Sequence, residues 1–159
     1  MTTYPLFMNH RLPLAGNGFW AAISLRARVL LREESASEIY VYGVNPGGIC
    51  GTGTNRDAAM AAFWKRFLSV MLDVAEEAKS FEEFKAEIES ALNETNEEYE
   101  MLWNEAVQNV RDGKVNLTGV ICQQADLGHS IKIEESSKPI PALNPSEEVV
   151  LAGPKRGAA

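Results

Sequence analysis

A glycine-rich stretch, NPGGICGTGTNR, begins at Asn45 and has the composition most suggestive of chemistry in this chain. Glycine-rich loops that lead from a strand into a helix often bind phosphate through backbone N–H groups at the helix N-terminus. A nucleotide-binding P-loop requires a lysine directly after its last glycine, whereas here Thr54 follows Gly53. A dinucleotide-binding fingerprint requires a third glycine at the position of Arg56. The stretch therefore matches neither motif.

Two interpretations of this stretch stay open. In the first, an anion binds at the first helical turn, and the candidate ligands are Gly51, Gly53, Thr54, Asn55 and Arg56. In the second, the glycines only turn the chain, and Thr54 with Asp57 caps the following helix as a capping-box-like pair. The second interpretation requires no ligand.

A row of arginines offers a different chemistry. Arg26, Arg28 and Arg32 fall on the same face of a predicted strand, where they could contact RNA phosphates. No aromatic residue alternates with them along this strand to stack on bases. The alternative is a solvated strand face or edge whose charge protects it from aggregation.

The remaining reactive residue types do not form motifs. His10, His129, Cys50 and Cys122 are isolated from one another, and the chain has no CxxC or HExxH spacing. The predicted strands carry no pair of carboxylates suited to two-metal nuclease chemistry. The sequence therefore predicts no catalytic residue, no metal site and no cofactor.

Negative charge is concentrated in one segment. Residues 73–105 contain twelve acidic residues and two lysines, a net charge of −10 in a chain whose total is −7. A field of one sign can steer a basic partner protein toward a surface. The candidate partner-binding residues are Glu82, Glu87, Glu94 and Glu97. The alternative is that helices in this segment have solvated acidic outer faces.

Composition limits the class of protein. A chain of 159 residues with 45% hydrophobic and 23% charged residues is typical of one soluble globular domain. The negative total charge makes nucleic acid an unfavourable partner for the surface as a whole. No apolar run reaches the length of a membrane span, and the first residues lack the basic start of a signal peptide. With two cysteines and no disulfide framework, we expect a cytoplasmic, reduced protein.

The elements that would position these residues follow from hydrophobic periodicity and capping signals. Residues 1–18 are predicted to be irregular, with a possible short strand over 4–8. Capping boxes at Thr54, Ser80 and Thr95, with Gly113 as a stop, divide the middle of the chain into three helices. Alternation predicts strands over residues 19–31, 38–44, 114–122 and 129–135.

These elements predict an α+β fold. An antiparallel sheet of about four strands would pack on one helix over residues 55–78, with two further helices inserted before the last strands. Residues 1–135 would form a single domain with its helical insertion at about 80–113. Residues 136–159, with four prolines and little periodicity, are predicted to be a mostly disordered tail.

One known family shows a similar order of elements. Two strands, a proline-glycine turn, a short strand and a Gly-x-Thr start of an alanine-rich helix resemble the HicB-like antitoxin domain over about residues 19–78. The residues that carry the resemblance are Pro46, Gly48, Cys50, Gly53, Thr54, Asp57 and Ala58. The chain departs from the family by its two inserted helices and by the lack of a DNA-binding segment after the domain.

The resemblance implies a function without catalysis. HicB-like antitoxins cover small basic ribonuclease toxins, so it implies a protein-interaction module that binds a small basic partner. Exposed sheet edges pair readily, and we also expect a homo-oligomer. There are two alternatives. One is a small-ligand-binding or anion-binding protein, or an enzyme, that uses the loop from Gly51 to Arg56, and the other is RNA binding by the arginines.

Overall fold

A computed structural model describes residues 1–115, 128–136 and 146–152. Within these ranges the chain forms one antiparallel sheet with three helices, so the predicted α+β class is confirmed. The strands are β1 (Thr2–Ala15), β2 (Trp20–Ser35), β3 (Glu38–Asn45), β4 (Cys50–Gly53), β5 (Ser130–Ser136) and β6 (Ser146–Leu151). The helices are α1 (Arg56–Glu77), α2 (Phe81–Asn93) and α3 (Glu97–Arg111).

The sheet is built around the long hairpin of β1 and β2. These strands pair in continuous register from Thr2 opposite Glu33 to Ala15 opposite Trp20. The prediction that residues 1–18 are irregular is therefore wrong, although it placed a short strand inside β1. Buried apolar residues recur along β1. The free energy gained by burying them in the sheet favours a continuous strand, although its two prolines suggest breaks.

The remaining strands add to both edges of this hairpin, in the order β4-β3-β2-β1-β6. β3 pairs with one end of β2, and β5 pairs with the other end from Arg26 to Trp20, which confirms the strand predicted over 129–135. β6 pairs with β1, so the predicted disorder of the 136–159 tail does not hold for Ser146–Leu151. Leu151 is buried there, which gives this segment a reason to order. The strand predicted over 114–122 lies mostly outside the described residues.

The three helices fall where periodicity and caps predict them, but two of the caps differ. Ser80 caps α2 as predicted by accepting a hydrogen bond from the Glu83 N–H. Asn55, and not Thr54, caps α1, and Asn96, and not Thr95, caps α3. In both cases the asparagine directly before the helix reaches the free N–H groups, and the threonine lies one residue too early.

Helices cover both faces of the sheet. The apolar residues of β2 at Ile23, Leu25, Ala27, Val29 and Leu31 form one core with α1 and α2. Leu30, on the opposite face, joins a second core with Phe7, Val44 and Trp103 of α3. The expected packing of one helix on one face is thus completed by α3 on the other face, where the predicted row of arginines lies.

Candidate functional site

The glycines of the GTGT stretch allow α1 to pack directly on β4. A Cβ atom added to Gly51 would lie 2.3 Å from the Phe63 backbone N, and one added to Gly53 would lie 2.5 Å from the Ala59 N. Real side chains do not occupy such positions, so both residues must lack one for this contact to form. Close packing of helix on strand therefore accounts for both glycines.

The polar residues of the same loop hold the start of α1. The Asn55 side chain accepts a hydrogen bond from the Ala58 N–H at 2.8 Å. Arg56 donates to both carboxylate oxygens of Glu33, at 2.8 and 3.3 Å, and to the Tyr4 hydroxyl at 3.2 Å. The Arg56 hydrogen bond holds the pKa of Glu33 below its ordinary value, while burial raises the pKa of Tyr4.

These contacts show how each anion-ligand candidate of the loop is placed. Gly51 and Gly53 face the helix, Asn55 caps it, and Arg56 is bound to a carboxylate of β2. Thr54 is exposed. The loop thus has a structural use for four of its five candidates, and an anion would have to compete with Glu33 for Arg56.

The three arginines of β2 have separate environments under α3. Arg26 lies over the Phe7 ring, with its Cζ atom 4.1 Å from the ring centroid, and Arg32 lies 5.9 Å from the centroid of Tyr42. Arg28 is buried and lies 5.5 Å from the centroid of Trp103. They share a face as predicted, but Arg28 is not available at the surface to an RNA phosphate.

Arg28 is the centre of a polar network. Its Nη1 and Nη2 atoms donate to the two Glu100 carboxylate oxygens at 3.0 and 2.6 Å. Its Nε and Nη2 atoms donate to the Oδ1 atom of the Asn45 side chain, the former at 2.8 Å. A buried guanidinium is tolerated when its donors are satisfied in this way. The network therefore stabilises the packing of α3 on the sheet.

Asn45 extends this network to the connection between α2 and α3. Its amide donates to the Leu92 carbonyl oxygen and to the Thr95 hydroxyl oxygen, each at 3.1 Å. Close by, the Nε2 atom of His129 lies 2.9 Å from the Asn93 side-chain oxygen. Burial, followed by the charge of Arg28, lowers the pKa of His129. These contacts fix the turn that presents Glu94 and Glu97.

The four acidic candidates, Glu82, Glu87, Glu94 and Glu97, are all exposed. Two belong to α2, whose buried side is formed by Phe84, Ile88 and Leu92, and two flank the turn between α2 and α3. Among the residues that the structure describes, none of the four forms an ion pair. We call these four glutamates the acidic surface.

Reactive side chains do not gather into a catalytic or metal site in the described ranges. No group of three His, Cys, Asp or Glu residues there could hold a metal ion. Burial raises the pKa of the Cys50 thiol, which makes it a poor nucleophile at neutral pH. His10 is buried and stacks on Trp64, whereas Cys122 lies outside the described residues.

None of the described helices combines the length and apolar character that crossing a bilayer requires.

Two features were missed by the sequence reasoning. Tyr40 and Tyr42 of β3 continue as a stack onto Tyr99 of α3, with ring centroids 6.0 and 5.7 Å apart. A polar cavity also opens beside α3 at the end of β2. The alternation of Tyr40 and Tyr42 in a strand could have predicted a shared face, but Tyr99 and the cavity depend on where α3 packs.

No family model, curated protein or solved structure matches the chain. Any inference about function therefore rests on the residues described above.

Proposed function

We propose that this chain is a non-catalytic protein-interaction module, similar in role to a HicB-like antitoxin, that binds a small basic partner protein. The partner would approach the acidic surface formed by Glu82, Glu87, Glu94 and Glu97. The observation that carries the proposal is that these four carboxylates are exposed and have no cationic partner among the described residues. An unneutralised field of one sign raises the association rate of an oppositely charged protein.

Part of this acidity has an explanation within the fold. Glu82 and Glu97 lie in the first turns of α2 and α3, where a negative charge interacts favourably with the helix dipole. Exposed carboxylates at such positions stabilise a helix by about 0.3–1 kcal/mol. These two glutamates could therefore be present for helix stability alone.

The other two glutamates have no such explanation. Glu87 lies in the middle of α2 and has no ion pair among the described residues. Glu94 is the C-cap of α2, where the partial negative charge of the helix end makes a carboxylate unfavourable. The last turn of α2 also carries no basic residue. A negative charge at either position does not stabilise α2, whereas it would attract a basic partner.

The first step of the test identifies the partner. A photo-crosslinking amino acid is placed at Glu87 in one variant and at the exposed Glu34, near the end of β2, in another. Both variants are expressed in the native cell and irradiated. We expect a small basic protein that crosslinks to the position in α2 and does not crosslink to position 34.

The second step measures the charge dependence of binding. The quadruple variant Glu82→Gln, Glu87→Gln, Glu94→Gln and Glu97→Gln should fold normally, because exposed single charges contribute little to stability. At low salt its association rate with the crosslinked partner should fall about tenfold or more, and the difference should shrink at high salt.

A matched control separates a local effect from the change in total charge. Glu34→Gln, Asp57→Asn, Glu134→Gln and Glu135→Gln remove the same charge from exposed positions elsewhere, and Asp57 also lies in a first helical turn. The control variant should retain most of the wild-type association rate. Equal rates for wild type and the acidic-surface variant, or equal losses in both variants, would show that the surface does not bind the partner.

A further inference from the structure

A cavity of about 390 Å³ lies between the start of β1, the end of β2 and one side of α3. The residues that α3 contributes are Leu102, Glu105, Ala106 and Asn109. Their spacing of three or four residues places them on one helical face, so the helix presents two polar and two apolar groups to the same space. The volume is within the range of sites that bind small organic molecules.

Charges of both signs line this cavity. Arg32 of β2 and Lys114, just after α3, are cationic, whereas Glu105 is anionic. None of the three forms an ion pair with a described residue. Arg32 is oriented by its position over the Tyr42 ring. Opposite charges that share a cavity without contacting each other leave their hydrogen-bonding capacity for a ligand.

We propose that this cavity binds a small zwitterion, such as a free α-amino acid with an apolar side chain. Its carboxylate would contact Arg32 and Lys114, and its ammonium group would contact Glu105. The Asn109 amide can donate to the first group or accept from the second. Leu102, half-buried, and Ala106, buried, supply the apolar wall.

The mixture of charges decides between ligand classes. A simple anion such as phosphate would be attracted by two cations but would have to approach the Glu105 carboxylate as well. A simple cation would meet Arg32 and Lys114. A molecule that carries both charges satisfies all three side chains at once, and charge-assisted hydrogen bonds are stronger than neutral ones.

This site is independent of the partner proposed above, because none of its residues belongs to the acidic surface. It also differs from the loop between Gly51 and Arg56, where the side chains are engaged in holding α1. Failure of one proposal therefore leaves the other unaffected.

The test uses three related probes on the full chain. Binding of leucine, N-acetyl-leucine and leucinamide is measured by protein-observed NMR titration up to tens of millimolar. The second probe lacks the ammonium group and the third lacks the carboxylate. We expect saturable shifts at α3 and Arg32 with leucine, and at least about tenfold weaker binding of each one-charge probe.

Variants assign the two charges of the ligand. Glu105→Gln should weaken leucine binding about tenfold and abolish the preference for leucine over N-acetyl-leucine. Arg32→Gln and Lys114→Gln should each weaken leucine binding and reduce the preference for leucine over leucinamide. Arg11→Gln and Glu98→Gln, at exposed positions outside the cavity, should bind leucine as the wild type does.

Three results would overturn the proposal. The first is that leucine gives no saturable shift at the cavity. The second is that N-acetyl-leucine binds as tightly as leucine, and the third is that Glu105→Gln and Lys114→Gln leave the preferences unchanged. Because Glu105 and Lys114 are exposed, these variants should keep the wild-type spectrum elsewhere, and a loss of binding would not reflect unfolding.

Discussion

Protonation of His10 should destabilise the fold, because this histidine is buried and the described residues offer its Nε2 atom no hydrogen-bond partner. Its ring stacks on Trp64, with centroids 3.4 Å apart and planes inclined by 3°. Within the described part of the chain, its Nε2 atom lacks a hydrogen-bond partner. Burial lowers the pKa of His10 from 6.5 to about 4. The folded state therefore holds His10 neutral at a pH where the unfolded chain protonates it.

The sign follows from proton binding in the two states. Below pH 6.5, the ordinary pKa of histidine, His10 binds a proton in the unfolded chain but stays neutral in the folded chain. The free energy of unfolding therefore falls as the pH falls. The loss begins near the ordinary pKa and ends near the folded pKa of about 4. Between about pH 7.5 and pH 5 these two pKa values give a loss of ~2 kcal/mol from this residue.

The measurement compares wild type with His10→Phe in urea unfolding at both pH values. Phenylalanine keeps a flat ring against Trp64 but does not titrate. Carboxylates such as Glu33, and His129, titrate in both proteins, so their contributions cancel in the difference. We expect wild type to lose about 2 kcal/mol more than the variant does over this interval.

Equal pH dependence in the two proteins would refute the reasoning. It would mean that His10 is hydrated, or that it finds a hydrogen-bond acceptor when it is protonated. An NMR titration of the imidazole resonances distinguishes the cases, because a buried neutral ring keeps its chemical shifts to below pH 5.

Two further predictions concern the loop before α1. Gly51→Ala and Gly53→Ala should each destabilise the protein by roughly 1–3 kcal/mol or more, because the new methyl groups meet the helix backbone. The control Gly47→Ala should stay within about 0.5 kcal/mol of wild type in the same urea unfolding, since the atoms nearest to the new Cβ would lie 3.8 Å away, at an ordinary van der Waals distance. Asn55→Ala should lower the free energy of unfolding by about 1 kcal/mol through the lost cap. Thr54→Ala should change it by less than about 0.5 kcal/mol, and the reverse order would place the cap on Thr54.

The helices could be predicted because their signals are local. Periodic apolar residues and three polar caps lie within a few positions of the helix ends they specify. The sequence did not show which of two adjacent polar residues caps α1 and α3. Thr54 with Asn55, and Thr95 with Asn96, both offer a side-chain oxygen, and only the path of the backbone decides which one reaches the free N–H groups. Thr95 instead accepts a hydrogen bond from Asn45, a residue distant in sequence.

The first strand could not be predicted from its composition, because its prolines indicate breaks. In the fold, the Ala152 N–H donates to the Pro5 carbonyl oxygen at 2.7 Å. The backbone polar atoms of Pro5 therefore point away from β2, and its missing N–H removes no bond between β1 and β2. Pro13 lies eight residues later and, by the period of two, points the same way. β1 therefore tolerates proline at positions whose backbone N does not point toward β2.

The arginine face shows why the site was harder to predict than the elements. Alternation correctly placed Arg26, Arg28 and Arg32 on one side of β2, and their charge suggested a solvated surface. α3 covers that side instead, and Glu100 supplies the counterion that allows Arg28 to be buried. Which glutamate would reach Arg28 depends on the docking of α3, and no local pattern contains that information.

The same contact changes the meaning of the acidic segment. Glu100 is one of the twelve acids that the sequence presents as a single field, yet it is bound to Arg28. Glu82 and Glu97 are favoured by the helix dipoles whether or not a partner exists. Of the four glutamates of the acidic surface, Glu87 and Glu94 are the two without such a role among the described residues. If a basic partner binds, Glu87→Gln and Glu94→Gln should account for more of the lost association rate than Glu82→Gln and Glu97→Gln. Helix stability should follow the opposite order, because the second pair alone removes favourable charges from helix N-termini.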